Sequence, residues 1–95
     1  SVSQVGAELQ DPVLLLRVAD AAGQPLVGAD VRVEAFHVAR ASERQNLVLN
    51  ERAPGQYAAP ARLDRRGQWE LRVRVAAQGR EFEQVLRPDV GGVPL

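Results

Sequence analysis

The sequence predicts an all-β protein, an immunoglobulin-like antiparallel β-sandwich of six or seven strands. The first observation is the alternation of apolar and charged residues, clearest in Trp69–Val75, which is the period of a strand with one buried face. The second is that Gly, Pro and Asp residues stand before these runs at short spacing, as in Asp20–Gly28 and Asp64–Gly67. No segment has the period of a helix of normal length, so two packed sheets are the expected closure.

The first strand is predicted at Val13–Ala19, after a polar lead-in over residues 1–10 that can pair as an edge. Pro12 cannot donate to a ladder, which suits the start of a strand. Because both faces of Val13–Ala19 are largely apolar, the strand is expected to lie centrally or to have its second face covered. In the turn that follows, Asp20 can accept hydrogen bonds from backbone further on, and Gly23 tolerates a positive φ.

The next strand begins at Val31 and directs Val31, Val33 and Ala35 towards the core. Strict alternation places Phe36 and Val38 on the outward face, whereas a bulge near Ala35 would return Phe36 to the core. Residues 39–46 are polar and are expected to form a loop, with a short helical turn as the alternative. Residues 47–49 then form a short strand.

The C-terminal half continues with a strand over residues 56–63, in which Pro60 marks an edge or an irregularity. Trp69–Val75 is the next strand, Gln78–Gly79 a hairpin turn, and residues 80–87 the returning strand. Residues 89–95 are expected to be a loose tail. The chain is therefore interpreted as a single domain over residues 1–95 with its core at about 11–88.

Composition excludes several classes of function. The net charge is zero, from twelve arginines, no lysine and twelve acidic residues, which argues against nucleic acid as a partner. The absence of cysteine excludes disulfides without assigning a compartment. The longest apolar run, Val13–Leu16, is far shorter than the roughly 20 residues of a membrane-spanning helix. The chain starts at Ser1 and has no signal peptide, which indicates either removal of an N-terminal segment or a domain excised from a longer protein, and we favour the excised domain.

Residues suited to catalysis or metal binding are scarce. The chain has no Cys, Met or Thr, its three serines lie in the predicted tail or loop, and His37 is the only histidine. A nucleophile needs a base and an orienting group, so we expect no enzyme. His37 is interpreted as a strand residue with a satisfied imidazole rather than a ligand, so neither a cofactor nor a metal is predicted.

The remaining charged and aromatic residues have structural interpretations. Glu81 and Glu83 share one face of a strand and are expected to pair with Arg72 or Arg74, not to perform acid–base chemistry. Trp69 and Tyr57 are interpreted as large core residues rather than as a carbohydrate-stacking surface.

Three motifs together resemble the FixH family. Asp20–Val31 has the pattern D-x-x-G-x-P-L-x-G-A-x-V, and it is followed by Ala53–Tyr57 and Gly67–Val73. The resemblance covers about Asp11 to Pro88. It implies a periplasmic β-sandwich carried by a short N-terminal membrane helix, which this sequence lacks. It also implies a role in copper delivery to, and maturation or stability of, the cbb3-type cytochrome oxidase, beside a copper-transporting P-type ATPase.

The residues that carry the resemblance are interpreted as turn and core positions rather than functional ones. They are Gly23, Pro25, Gly28, Gly55, Tyr57, Gly67 and Trp69.

The function predicted from these observations is non-enzymatic. We expect a periplasmic domain, tethered to the inner membrane by an upstream anchor, that binds a protein partner during assembly of the oxidase or the copper transporter. The alternatives are a generic immunoglobulin-like module of a larger surface protein and a periplasmic metal-binding protein. No oligomeric state follows from the sequence. The predicted partner-binding face consists of Phe36, His37, Arg40 and Arg44. There an apolar side chain and charged residues are expected on the outward face, where a predicted strand ends.

Overall fold

The computed structural model describes residues 4–10, 12–63 and 66–90 of the chain. Within these ranges, every strand pairing is antiparallel, and the only helical element is a 3-10 turn at Val38–Arg40. None of the described residues forms a helix long and apolar enough to cross a membrane. The predicted all-β class is confirmed. The strands are β1 (Gln4–Gln10), β2 (Val13–Ala19), β3 (Asp30–His37), β4 (Arg44–Ala53), β5 (Gln56–Pro60), β6 (Gly67–Ala77), β7 (Arg80–Leu86) and β8 (Asp89–Val90).

The strands follow the order β1-β2-β5-β4-β3-β6-β7, and β8 pairs with the start of β6. Strand β4 belongs to both layers, because residues 44–49 pair with β3 whereas residues 50–53 pair with β5. One layer is therefore β1, β2, β5 and the end of β4, and the other is the start of β4 with β3, β6 and β7. This is the strand arrangement of an immunoglobulin-like sandwich, as predicted.

The core lies between the two layers and is built from the inward residues of alternating strands. Leu16 on β2, Val31 on β3 and Leu71 on β6 are fully buried, and Tyr57 and Trp69 are the largest side chains in the cluster. The interpretation of these two aromatic residues as core is confirmed. No polar or charged residue among those described is buried, so polar side chains are confined to the surface and the two ends.

The N-terminal strands match the sequence pattern. Strand β2 has the predicted bounds and lies between β1 and β5, the central position expected from its two apolar faces. Strand β1 pairs with β2 along its whole length and is an edge of the sheet. In the turn after β2, the backbone N–H groups of Ala22 and Gln24 both donate to Asp20 Oδ1 at 2.9 Å, and Gly23 has a φ of 83°.

Several strand bounds differ from the prediction. Strand β6 runs over Gly67–Ala77 rather than residues 69–75, and the predicted loose tail begins with a strand, because Asp89–Val90 pair with the start of β6. Strand β4 has ten residues rather than three, because it finds hydrogen-bonding neighbours in β3 and then in β5, so its polar residues need no apolar alternation. The predicted loop over residues 39–46 shrinks to the 3-10 turn and a short link. Strand β5 ends at Pro60 instead of residue 63, since proline offers no N–H to a ladder.

Candidate binding face

The four predicted site residues lie at one end of the sandwich. Phe36 and His37 end β3, Arg40 lies in the 3-10 turn, and Arg44 begins β4 directly opposite Phe36. At this end His37, Arg40, Arg44 and Arg62 border a hollow of about 350 Å³. We call these four residues the cationic end. Arg62, two residues after the end of β5, was not among the predicted residues.

Phe36 points outward but is not exposed. The register of β3 is unbroken against both neighbours, so there is no bulge at Ala35 and alternation holds. The ring is nevertheless only 5% exposed, because the guanidinium groups of Arg44 and Arg72 lie 4.5 Å and 5.3 Å from its centroid. The expectation that Phe36 offers an accessible apolar contact is thus corrected. Phe36 instead supports two arginines through cation–π contacts.

The arginines of the cationic end differ in how firmly they are held. Arg44 contacts Glu34 Oε1 at 2.6 Å and donates from Nε to the Ala41 carbonyl at 2.9 Å. Arg40 has a looser ion pair with Glu43 at 3.5 Å, and its side chain is half exposed. Among the described residues, Arg62 has no ion pair. The hollow is thus lined by three guanidinium groups and one carboxylate, Glu43.

Gln45 fixes the backbone that carries Arg62. Its Nε2 donates to the Arg62 carbonyl at 2.6 Å, and its Oε1 accepts from the Arg62 N–H at 2.9 Å. The side chain thereby replaces a strand neighbour for the segment after β5. Sequence reasoning missed Arg62, because only this long-range amide contact brings it beside Arg44.

His37 uses both ring nitrogens in structural hydrogen bonds. Nδ1 accepts from the Ala39 N–H at 3.0 Å, which caps the 3-10 turn. Nε2 lies 2.7 Å from the Arg66 carbonyl and therefore carries the proton. The ring also meets Trp69 edge to face, with centroids 5.4 Å apart. The predicted satisfied imidazole is confirmed, and a metal ion at either nitrogen would have to displace one of these bonds. The described residues contain no group of three His, Asp or Glu side chains placed to hold a metal.

Gly67 is required by His37. Its φ is 120°, which side chains rarely allow, and a Cβ atom there would lie 2.7 Å from His37 Nε2. Sequence analysis assigned Gly67 to a turn, and the structure adds the contact that makes any larger residue unfavourable.

The outer face of the β4-β3-β6-β7 layer carries ion pairs around an open hollow of about 780 Å³. Arg72 contacts Glu70 at 2.7 Å, and this pairing lowers the pKa of the Glu70 carboxyl from its ordinary value. Arg74 contacts Glu83 at 2.7 Å and Glu81 at 3.7 Å, which confirms the predicted pairing for Arg74. Among the described residues, five arginines and three glutamates line the hollow, and each of the five arginines is in an ion pair with an acidic side chain.

The opposite end of the sandwich, which we call the turn end, gathers the motif residues around Tyr57. The Tyr57 hydroxyl donates to the Leu26 carbonyl at 2.6 Å and accepts from the Ala29 N–H at 3.0 Å. Burial raises the pKa of this phenol. A Cβ atom on Gly55, whose φ is 74°, would lie 2.7 Å from Pro25 Cβ. These contacts confirm that the motif residues Pro25, Gly55 and Tyr57 are turn and core positions.

The Glu51 carboxylate joins two turns at the turn end. It accepts from the Gly28 N–H at 3.0 Å and from the Gly55 N–H at 3.4 Å. Glu51 lies opposite Tyr57 on β4, so one side chain ties both glycine turns to the same strand pair. Sequence analysis did not single out this residue.

The fold and these contacts define a small immunoglobulin-like β-sandwich domain whose motif residues hold turns in place. The family model FixH matches residues 3–88, and the chain belongs to the FixH family. FixH is a non-catalytic accessory family connected with processes of the cbb3-type cytochrome oxidase. No curated protein and no solved structure matches the chain.

Proposed function

We propose that the domain acts without catalysis, as the periplasmic, membrane-tethered part of an accessory factor that binds a protein partner during cbb3-type oxidase assembly or copper delivery. Its membership of the FixH family supports the oxidase connection. The observation that carries the binding role is the cationic end, where three guanidinium groups share a hollow with one carboxylate.

The chemistry of the cationic end suits an acidic segment of a partner protein. Guanidinium groups bind carboxylates through paired N–H donors, and they remain charged at every physiological pH. Arg40 and Arg62 are exposed, and among the described residues their one ion pair is the loose contact of Arg40 with Glu43. A partner's carboxylates would therefore replace only a weak interaction within the domain. The backbone that carries these arginines is held in place, since His37 and Gln45 hydrogen-bond to backbone carbonyls at the hollow.

The direction of the chain supports the same assignment. Gln4 pairs with Ala19, so β1 begins at the turn end, whereas His37 pairs with Trp69 at the cationic end. A membrane anchor that enters through the start of β1 would hold the turn end towards the membrane. The cationic end would then face away from the bilayer, towards the exposed parts of a partner protein.

The test is charge reversal in the membrane-tethered protein. The double variant Arg40→Glu/Arg62→Glu is expected to reduce co-purification of oxidase or copper-transporter subunits about tenfold, because like charges now meet the acidic segment. Arg44 stays unchanged because it covers Phe36. Arg52→Glu, at an exposed residue near the turn end of β4, is the control for one charge reversal of two units, half that of the double variant, and should leave co-purification unaltered. Equal co-purification by the wild type and the double variant would contradict the proposal.

A further inference from the structure

Strand β7 presents an unpaired edge. In the described part of the chain it pairs with β6 alone, and the register is unbroken from Leu71 opposite Leu86 to Ala77 opposite Arg80. The same register continues into β8, where Gly67 lies opposite Val90. Edge strands are usually shortened, bulged, interrupted by proline or lined with charged residues to prevent pairing with other chains. From Arg80 to Arg87 this edge has no proline and no bulge, and its four charged residues are of both signs, so a second copy can pair with them.

The hydrogen-bonding phase of β7 follows from one contact. The Trp69 N–H donates to the Pro88 carbonyl at 3.0 Å, and bonded pairs alternate along an antiparallel ladder. Even-numbered residues of β7 therefore direct their N–H and C=O groups towards β6. The odd-numbered residues Glu81, Glu83 and Val85 direct theirs towards the free edge.

A second copy of β7 complements this edge when the two strands run antiparallel with Gln84 opposite Gln84. Glu81 then lies opposite Arg87 of the second copy, and Arg87 opposite Glu81, on the outward face. On the inward face, Phe82 lies opposite Leu86 twice. Glu81 and Arg87 are about 60% exposed in the single chain, where Glu81 contacts Arg74 at 3.7 Å and Arg87 contacts Glu70 at 3.3 Å. Exposed ion pairs of this kind contribute little, so both side chains can also reach a cross-strand partner.

The neighbouring registers are less favourable. In a paired edge, inward-facing residues of one copy must lie opposite inward-facing residues of the other. The two-fold axis must therefore pass through a residue, and the nearest alternatives to Gln84 are Glu83 and Val85. An axis at Glu83 brings two Glu83 side chains together. An axis at Val85 places Glu83 opposite Arg87, but it also places Glu81 opposite Asp89 in both halves, so two like-charge contacts oppose its two ion pairs. The other edge, β1, offers no such match, because Glu8 is its only charged residue.

We propose that this protein forms a two-fold symmetric homodimer through antiparallel β7–β7 pairing about Gln84, with reciprocal Glu81–Arg87 ion pairs. The outer layer then becomes one continuous eight-stranded sheet across the two copies. A single strand pair buries less surface than a stable dimer interface, so the dimer is weak in dilute solution. Tethering to a membrane raises the local concentration and favours it. This inference is independent of the cationic end and of the oxidase connection.

Single cysteines test the register, since the chain has none of its own. Opposed residues of a non-hydrogen-bonded pair have Cα atoms about 4.5 Å apart, within the range that a disulfide spans. Under mild oxidation, Gln84→Cys is expected to give about tenfold more covalent dimer than the exposed control Val27→Cys. Glu83→Cys and Val85→Cys should give less than Gln84→Cys. Equal yields from Gln84→Cys and Val27→Cys, or a maximum at residue 83 or 85, would overturn the proposal.

Val85→Pro tests the edge without opening the sheet. The Val85 N–H faces the free edge, so proline there removes no bond to β6 but blocks a second strand. In sedimentation equilibrium, the average mass of the wild type should rise with concentration above the 10.3 kDa of one chain, whereas Val85→Pro should stay at one chain mass. An unchanged melting temperature of the variant establishes that the fold persists. A wild type that stays monomeric at every concentration overturns self-pairing.

If the wild type is monomeric and Val85→Pro abolishes co-purification of the oxidase, the β7 edge pairs with a strand of the partner protein instead of a second copy.

Discussion

The two ends of the sandwich hold their loops in contrasting ways. At the turn end, Tyr57 and Glu51 bind backbone N–H and C=O groups directly, and Gly55 is pressed against Pro25. At the cationic end, His37 and Gln45 provide the backbone contacts, and the arginines extend beyond them into solvent.

This contrast separates stability from recognition. Buried hydrogen bonds to backbone are costly to lose, whereas exposed ion pairs contribute at most about 1 kcal/mol. At the turn end, the polar side chains therefore stabilise the loops of the domain itself. At the cationic end, Arg40 and Arg62 are charges that the fold hardly needs, so they can bind a partner.

The largest expected effect is at the floor of the cationic end. Trp69 is only 4% exposed and packs against His37 and the core, so Trp69→Ala should cost about 3–5 kcal/mol of unfolding free energy. Urea denaturation followed by circular dichroism measures it. An unchanged urea midpoint would contradict the core assignment of Trp69 and its role in holding His37 at the hollow.

Gly67→Ala tests the contact that positions His37. The methyl group meets the imidazole, and a φ of 120° disfavours any side chain, so the expected cost is about 2–3 kcal/mol. His37→Ala is the matched background, since it removes the imidazole but leaves the backbone strain. In a double-mutant cycle, Gly67→Ala should lower the unfolding free energy less in the His37→Ala protein than in the wild type. An identical loss in both proteins would show that the contact between residue 67 and the imidazole does not contribute to stability.

Tyr57→Phe tests the turn end. It leaves the Leu26 carbonyl and the Ala29 N–H without their hydroxyl partner, at an expected cost of about 1–2 kcal/mol in urea denaturation.

The alkaline pH dependence should change in the same variant. The folded pKa of Tyr57 is raised above the ordinary 10.0, so its contribution to stability is complete below that pH and is lost as the pH rises above it. The chain has no lysine, cysteine or second tyrosine to titrate there. Wild-type stability should therefore fall above pH 10, whereas Tyr57→Phe should lose less over the same interval. Parallel losses would contradict the buried phenol.

The smallest effects are expected for the arginines that the proposed function uses. Arg40→Ala and Arg62→Ala should each change the unfolding free energy by less than about 0.5 kcal/mol, because both side chains are exposed. Thermal melting of both variants beside the wild type is the measurement. A loss comparable with that of Tyr57→Phe would remove the distinction between the two ends.

The sequence was sufficient for the fold wherever periodicity and turn chemistry agreed. Strands β2 and β6 and the Asp20 turn were predicted, since their patterns depend on residues close in the chain. The satisfied His37 was also predicted, but its Nε2 partner, the Arg66 carbonyl, could not be named because it lies 29 residues away. The length of β4 was not predictable, because its hydrogen bonds come from two strands that only the folded layers bring beside it. Phe36 was placed on the correct face but given the wrong exposure, since its cover comes from Arg72 across the sheet. Arg62 joined the candidate face only through Gln45.

The sharing of β4 between layers also determines how the domain comes apart. Residues 44–49 of β4 pair with β3 and residues 50–53 with β5, so neither layer can detach without breaking the ladder of the other. A half-folded species that keeps one intact sheet would have to expose the inward faces of both. Unfolding should consequently be all-or-none, with fluorescence of the single tryptophan and far-ultraviolet dichroism following the same transition.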